Sequence, residues 1–157
     1  MSKIVLPAYE QAGQLTNDVA GQFLLEADAR KRGMRIERLF CDGVVHYQFR
    51  VGIPGQADER SVKVSFPPGR ANPVVHVDGP PCLRHRWEDD SLCMWDPKGP
   101  GDERWLVQDG MPSLAEHVGI HLFCEGECRA GNPWPKAEMA GEHPRKSKCP
   151  TCRGHGR

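Results

Sequence analysis

The chain has 157 residues, enough for one domain with a core and a short appendage. Its 21 basic and 21 acidic residues give a formal net charge of zero, so no overall charge attracts it to nucleic acid or to an anionic membrane surface. No apolar run approaches the roughly 20 residues of a membrane helix. The first residues contain no signal-peptide pattern. We therefore expect a cytoplasmic protein that binds neither membranes nor a specific nucleic acid.

The charge is divided unevenly along the chain. Residues 136–157 contain six Lys or Arg and two Glu, a net of +4, so residues 1–135 sum to −4. The basic segment also contains two cysteines and almost no apolar residues. These differences predict a folded domain over residues 1–135 and a basic, cysteine-containing tail over residues 136–157.

A helix is predicted near the N-terminus. Asn17 is a good capping residue, and Gly33 follows three basic residues that suit the negative end of a helix. Between them lies a stripe of apolar residues at helical spacing, formed by Val19, Phe23, Leu24 and Ala27.

Four short strands are predicted next. The clearest covers residues 44–53, where apolar and polar side chains alternate, and it is preceded by the hairpin turn signal Asp42-Gly43. The other three are predicted over residues 34–41, 61–66 and 74–77. Short turns join them in sequence, which favours an antiparallel meander with one buried face.

A long segment rich in proline and glycine then precedes a second helix. Cys93 lies at the centre of this segment, which covers residues 78–112. The pattern Ser113-Leu-Ala-Glu116 is a capping box, and it predicts that the helix begins at Ser113. Its core stripe is Leu114, Val118 and Leu122. The whole order predicts an α+β domain with its helices on one side of the sheet.

Cys93 is the candidate catalytic residue. Acyl transfer through a thiol requires an accessible sulfur, a polar group for the tetrahedral oxyanion and access for the acceptor. We expect Cys93 to lie on a surface loop, and His85 is the candidate oxyanion donor. The alternative is that Cys93, flanked by Leu92 and Met94, is a small buried apolar residue.

The charges around Cys93 favour acyl exchange over proteolysis. Seven acids and three Lys or Arg lie between His85 and Asp109. Acids near a thiol favour its neutral form and raise its pKa, whereas a cysteine protease requires a lowered pKa. We therefore expect Cys93 to exchange with an ester or thioester that is already activated.

These features resemble the ubiquitin-conjugating enzymes. The order of helix, four-stranded meander, proline-rich turn, active-site loop and helix is similar to that fold over roughly residues 15–130. Residues 90–94 resemble the family's Gly-Ser-Ile-Cys-Leu, and Trp105 corresponds to a tryptophan of the family. The family's His-Pro-Asn tripeptide is absent, and His85 lies where the asparagine would be.

A closer resemblance is to the stand-alone bacterial version found in short forms of the cyclic-oligonucleotide-based antiphage signalling system (CBASS). It depends on residues 91–97, Trp105 with residues 109–110, residues 121–123, residues 131–135, Glu138 and His143. It implies that Cys93 is the catalytic cysteine of an acyltransferase in antiviral defence, with His85 in the place of the asparagine. It also implies a thioester with the C-terminus of a partner cGAS-like nucleotidyltransferase. No cofactor is required.

A structural zinc site is predicted separately. Cys149 and Cys152 have the Cys-x₂-Cys spacing that lets two sulfurs reach one ion, and Cys124 and Cys128 could complete four ligands. His143 and His155 are competing ligands, and the alternative to a zinc site is a basic tail with two incidental thiols. His117 and His121 are also four residues apart, but two imidazoles do not make a metal site, and we interpret them as surface or core histidines.

Two other functions remain open from the sequence. The chain could be a non-catalytic variant of the same fold that binds its partner as a scaffold. It could also be a small zinc-containing module that recognises nucleic acid through its basic tail, although the acidic remainder of the chain argues against this.

Overall fold

The fold consists of a four-stranded antiparallel sheet and two main helices. The computed structural model describes residues 3–80, 86–87, 89–95 and 104–135. In chain order the elements are a 3₁₀ helix Ala12–Asn17, α1 Val19–Lys31, β1 Glu37–Cys41, β2 Val44–Gly52, β3 Glu59–Ser65, β4 Val74–Val77, a second 3₁₀ helix Val107–Asp109, and α2 Met111–Arg129. The strands have the order β1-β2-β3-β4, so the predicted α+β class and the antiparallel meander are confirmed.

β2 follows the predicted alternation. Val45, Tyr47, Phe49 and Val51 are buried, and their neighbours along the strand are more exposed. The turn before it contains Asp42 and Gly43 at φ values of 53° and 74°, the left-handed geometry of a two-residue hairpin turn. The buried side chains of the sheet share one core with apolar side chains of both helices.

α1 is confirmed as a helix, but its predicted cap and apolar stripe are wrong. Asp18, rather than Asn17, caps it by accepting a hydrogen bond from the Gly21 N–H at 3.0 Å. All four residues of the predicted stripe are exposed, with Val19, Phe23 and Leu24 at 59%, 55% and 41%. The buried face consists of Gly21, Gln22, Leu25, Glu26 and Ala29.

Polar side chains occupy that buried face because other elements supply their partners. The Gln22 side chain donates to the carbonyls of Leu15 and Thr16 at 3.0 and 3.1 Å. The Glu26 carboxylate accepts from the Tyr47 hydroxyl at 3.2 Å. A buried polar group costs little when it is hydrogen-bonded, so these contacts decide which face of α1 is covered.

α2 begins two residues earlier than predicted. Its N-cap is Gly110 at φ 84°, and Pro112 lies in the first turn, where a missing N–H is tolerated. Ser113 is therefore inside the helix, and the predicted capping box does not start it. The predicted stripe of Leu114, Val118 and Leu122 is buried. No helix in the described part of the chain has the length and hydropathy that a membrane span requires.

Candidate functional site

The site is built around the Cys93 segment, by which we mean residues 86–87 and 89–95. Its Leu92 N–H donates to the Val75 carbonyl of β4 at 2.9 Å, and Arg86 forms an antiparallel bridge with Leu92. β4 is at one edge of the sheet. The segment therefore folds back on itself and attaches to that edge immediately before Cys93.

A tight turn closes this small hairpin. The Asp90 N–H donates to the Trp87 carbonyl at 2.9 Å, and the Trp87 N–H donates to the Ser91 carbonyl at 2.8 Å. Asp90 has a φ of 70°, which aspartate tolerates better than most residues. The Asp89 carboxylate accepts from the N–H and the hydroxyl of Ser91. Burial would raise the pKa of Asp89, but these hydrogen bonds hold it below its ordinary value.

A buried ion pair joins the hairpin to α2. The Arg86 guanidinium donates through Nε and Nη2 to the two carboxylate oxygens of Glu125 at 2.7 and 3.0 Å. The side chains of Arg86 and Glu125 are 1% and 0% exposed. Burial raises the pKa of Glu125, and the neighbouring guanidinium of Arg86 opposes this rise. The pair connects positions 39 residues apart in the sequence.

Cys93 itself is buried, contrary to the expectation of a surface thiol. It is 3% exposed, and the adjacent Leu92 and the nearby Trp95 belong to the hydrophobic core. The physical reason is the hydrogen bond from Leu92 to Val75. It attaches the segment to the edge strand β4, so the segment does not extend into solvent as a surface loop. This burial agrees with the alternative interpretation of Cys93 as a small buried residue.

The structure does not test the pairing of Cys93 with His85, because His85 lies outside the described residues. The Asp90 carboxylate lies 3.3 Å from the Arg86 guanidinium, which also pairs with Glu125, so two carboxylates share this one positive charge.

The two histidines of α2 contact indole rings. The Trp95 N–H donates to His117 Nδ1 at 3.4 Å, with the two ring centres 5.7 Å apart. His121 packs edge-to-face against Trp134, with the ring centres 5.3 Å apart. These contacts agree with the interpretation of both as surface or core histidines. Across the described residues, no three His, Cys, Asp or Glu side chains form a metal-binding group.

The predicted zinc ligands are only partly described. Cys124 and Cys128 are both buried in α2, four residues apart as predicted. Cys128 is in a disulfide, and a sulfur in that state does not offer zinc a thiolate. Cys149 and Cys152 lie outside the described residues. The zinc site therefore stays a prediction, and it requires Cys128 to be reduced.

A small cleft lies beside the Cys93 segment. Its volume is about 50 Å³, and its walls include Asn72 and Pro73 from the proline-rich turn and Trp87, Met94 and Trp95 from the segment. The buried Oδ1 atom of Asn72 meets no hydrogen-bond donor in the described structure.

Sequence reasoning missed Arg86 and Glu125. Arg86 lies in a polar, irregular stretch, where an arginine is normally exposed. Glu125 did carry a signal, because it lies at helical spacing from Leu114, Val118 and Leu122 and so falls on the buried stripe of α2. An acid on such a stripe needs a buried partner.

Comparison of the chain with protein-family models, curated proteins and solved structures finds no match.

Proposed function

We propose that the chain has a ubiquitin-conjugating-enzyme-like fold and is a cysteine acyltransferase of antiphage defence. Cys93 forms a thioester with the C-terminus of a cGAS-like nucleotidyltransferase and so processes or primes that partner. The supporting observation is the place of Cys93 in the chain. It follows a meander and a hairpin attached to β4, and it precedes the buried Trp105 and α2. This order is similar to that of the conjugating enzymes.

The reaction is an exchange in two steps. The Cys93 sulfur attacks the activated carbonyl carbon of the partner's C-terminus, a carbon–sulfur bond forms, and the bond to the earlier carrier breaks. A lysine amine or another nucleophile then attacks the thioester, and Cys93 leaves as the thiol. In this proposal His85 donates a hydrogen bond to the oxyanion of each tetrahedral intermediate.

Burial of Cys93 adds one requirement to this proposal. A thiol that is 3% exposed cannot meet the C-terminus of another protein without a movement of the segment around it. Partner binding must therefore expose the sulfur, and the free protein should react slowly with acyl donors.

The test is to trap the adduct. The full chain is isolated without reducing agent from cells that also express the nucleotidyltransferase, and covalent adducts are identified by mass spectrometry. The wild type should give an adduct that thiols cleave, because thioesters exchange with thiols. Cys93→Ser should give an oxyester that resists thiols, and Cys93→Ala should give none.

The matched control is Cys41→Ala, which removes an exposed thiol on β1 and should leave the adduct intact. An adduct that persists in Cys93→Ala would contradict the catalytic role of Cys93.

The burial of Cys93 favours a second candidate, a non-catalytic scaffold of the same fold. On this alternative, Cys93→Ala binds the nucleotidyltransferase and protects cells from phage as well as the wild type does. On the catalytic proposal, the variant binds the partner but loses protection. Measuring both binding and phage protection for this one variant separates the two functions.

A further inference from the structure

The site contains a buried ion pair, Arg86 with Glu125, that has no role in the proposed chemistry. Taking two charges out of water has a large free-energy cost, so a buried ion pair is often no more stabilising than an apolar pair of the same volume. The contribution of such a pair is therefore geometric. Two parallel hydrogen bonds fix the guanidinium plane relative to the carboxylate, which a single apolar contact does not do.

The same guanidinium also holds the turn of the hairpin. Arg86 Nη1 lies 3.3 Å from the Asp90 carboxylate and 3.5 Å from the Asp90 carbonyl. One side chain thus connects the start of the hairpin, its turn and α2. Cys93 comes three residues after Asp90, and Leu92 between them is hydrogen-bonded to β4. The segment is consequently fixed on two sides, by β4 and by α2.

We propose that Arg86 and Glu125 are positioning residues that fix the Cys93 segment against α2 and thereby set the access of reagents and acyl donors to Cys93. The effect of the pair on access to Cys93 follows from this geometry alone. A role for this access in acyl transfer rests on the proposed function. Neither residue touches the reacting atoms in this proposal.

The test measures the alkylation rate of each cysteine in the folded, full-length protein. Iodoacetamide is added without denaturant, and modified peptides are quantified by mass spectrometry over time. Cys41 is exposed and reports reagent activity, and Cys124, buried in α2 next to Glu125, reports opening of that helix.

Glu125→Gln keeps the shape of the side chain and removes the buried counter-ion of Arg86, which leaves only the half-exposed Asp90 carboxylate beside the guanidinium. We expect Cys93 to react about tenfold faster in this variant, since loss of a buried partner favours local opening. Cys41 should be unchanged, and Cys124 should change by less than about twofold because α2 stays folded. Glu127→Gln is the matched control, with the same change two residues along α2 outside the pair, and it should leave Cys93 at the wild-type rate.

A double variant separates position from stability. Arg86→Met with Glu125→Leu removes both charges, and the folded protein should regain the stability lost in Glu125→Gln. Cys93 should still react faster than in the wild type, because apolar contacts do not restore the bidentate geometry.

Two results would overturn the inference. One is a wild-type Cys93 rate in Glu125→Gln or in the double variant. The other is a rise at Cys93 that Cys124 matches, which would indicate general loosening. If the rates change as expected but no thioester adduct forms in the wild type, the positioning role stands and the proposed function fails.

Discussion

Single residues tie this fold together through hydrogen bonds between distant parts of the chain. Asp18 is an example near the N-terminus. Its carboxylate accepts from the Tyr9 hydroxyl at 2.6 Å and from the Gly21 N–H at 3.0 Å, so it caps α1 and anchors the segment before it. The hydrogen bond from Tyr9 and that from Gly21 lower the pKa of Asp18.

Asp18→Ala should therefore destabilise the protein in a pH-dependent way. A lowered pKa means that the ionised carboxylate stabilises the folded state above the pKa of the unfolded chain, and that this contribution disappears as the pH falls through the folded pKa. We expect a loss of about 1 kcal/mol at neutral pH that shrinks below about pH 4. Urea unfolding at pH 7 and pH 3 measures it.

The control for this prediction is Asp58→Ala, which removes a carboxylate from an exposed loop and should change little at either pH. An equal loss at both pH values for Asp18→Ala would show that the charge of Asp18 does not contribute.

At the residue scale, the sequence identified Cys93 but not its surroundings. The cysteine stands out because of its neighbours in the chain. Its burial depends on the hydrogen bond from Leu92 to Val75, and its fixation depends on a pair that joins Arg86 to Glu125. Both contacts connect positions far apart in the sequence, and local patterns do not identify the partner of either residue.

At the scale of elements, α1 shows how a helix can be predicted correctly and oriented wrongly. The spacing of its apolar residues predicts a helix, but Leu24 faces solvent and Leu25 is fully buried. The hydrogen-bond partners of Gln22 and Glu26 favour burial of the face that contains Leu25. A prediction that considers only apolar residues ignores these two polar side chains.

Two adjacent leucines test this orientation. Leu25→Ala should cost about 2–5 kcal/mol, because it leaves a cavity in the core, whereas Leu24→Ala should cost less than about 1 kcal/mol. Thermal or denaturant unfolding of the two variants gives the comparison. Similar losses in both would contradict the observed face of α1.

The strands were easier to predict than the helix ends. In β2 the side chains alternate strictly, and the left-handed turn at Asp42-Gly43 fixes the register with β1. The capping box at Ser113 is a local signal, and it predicts a start for α2 that is two residues later than the observed one. The structure instead uses Gly110 as the cap, with Pro112 following in the first turn.

At the scale of the molecule, the order of elements was predictable and the closure of the site was not. Alternation, turn signals and helical spacing predict a helix, a meander, a loop and a second helix, in the order that the structure shows. Whether the loop lies open or packs down depends on the total of its long-range contacts, which only the folded chain reveals.

The zinc prediction also belongs to this scale, because its four ligands are spread over two regions. With all thiols reduced, the full chain should bind about one zinc ion, measured by elemental analysis after gel filtration. Replacing Cys149 and Cys152 by serine should abolish binding, and Cys41→Ser should not. Oxidised protein should bind less, since Cys128 is then in a disulfide. A reduced chain without zinc would contradict the site.

The attachment of Leu92 to β4 has a consequence for the behaviour of the protein in concentrated solution. It partly covers one edge of the sheet, whereas β1, at the other edge, pairs with β2 alone among the described strands. The side chain of Phe40 on β1 is 65% exposed. Open strand edges recruit further strands, and charged side chains restrain this. Glu37 is the exposed charge on β1, since Arg38 is bound to Gln22 and Glu26 of α1, so Glu37 should restrain self-association through this edge.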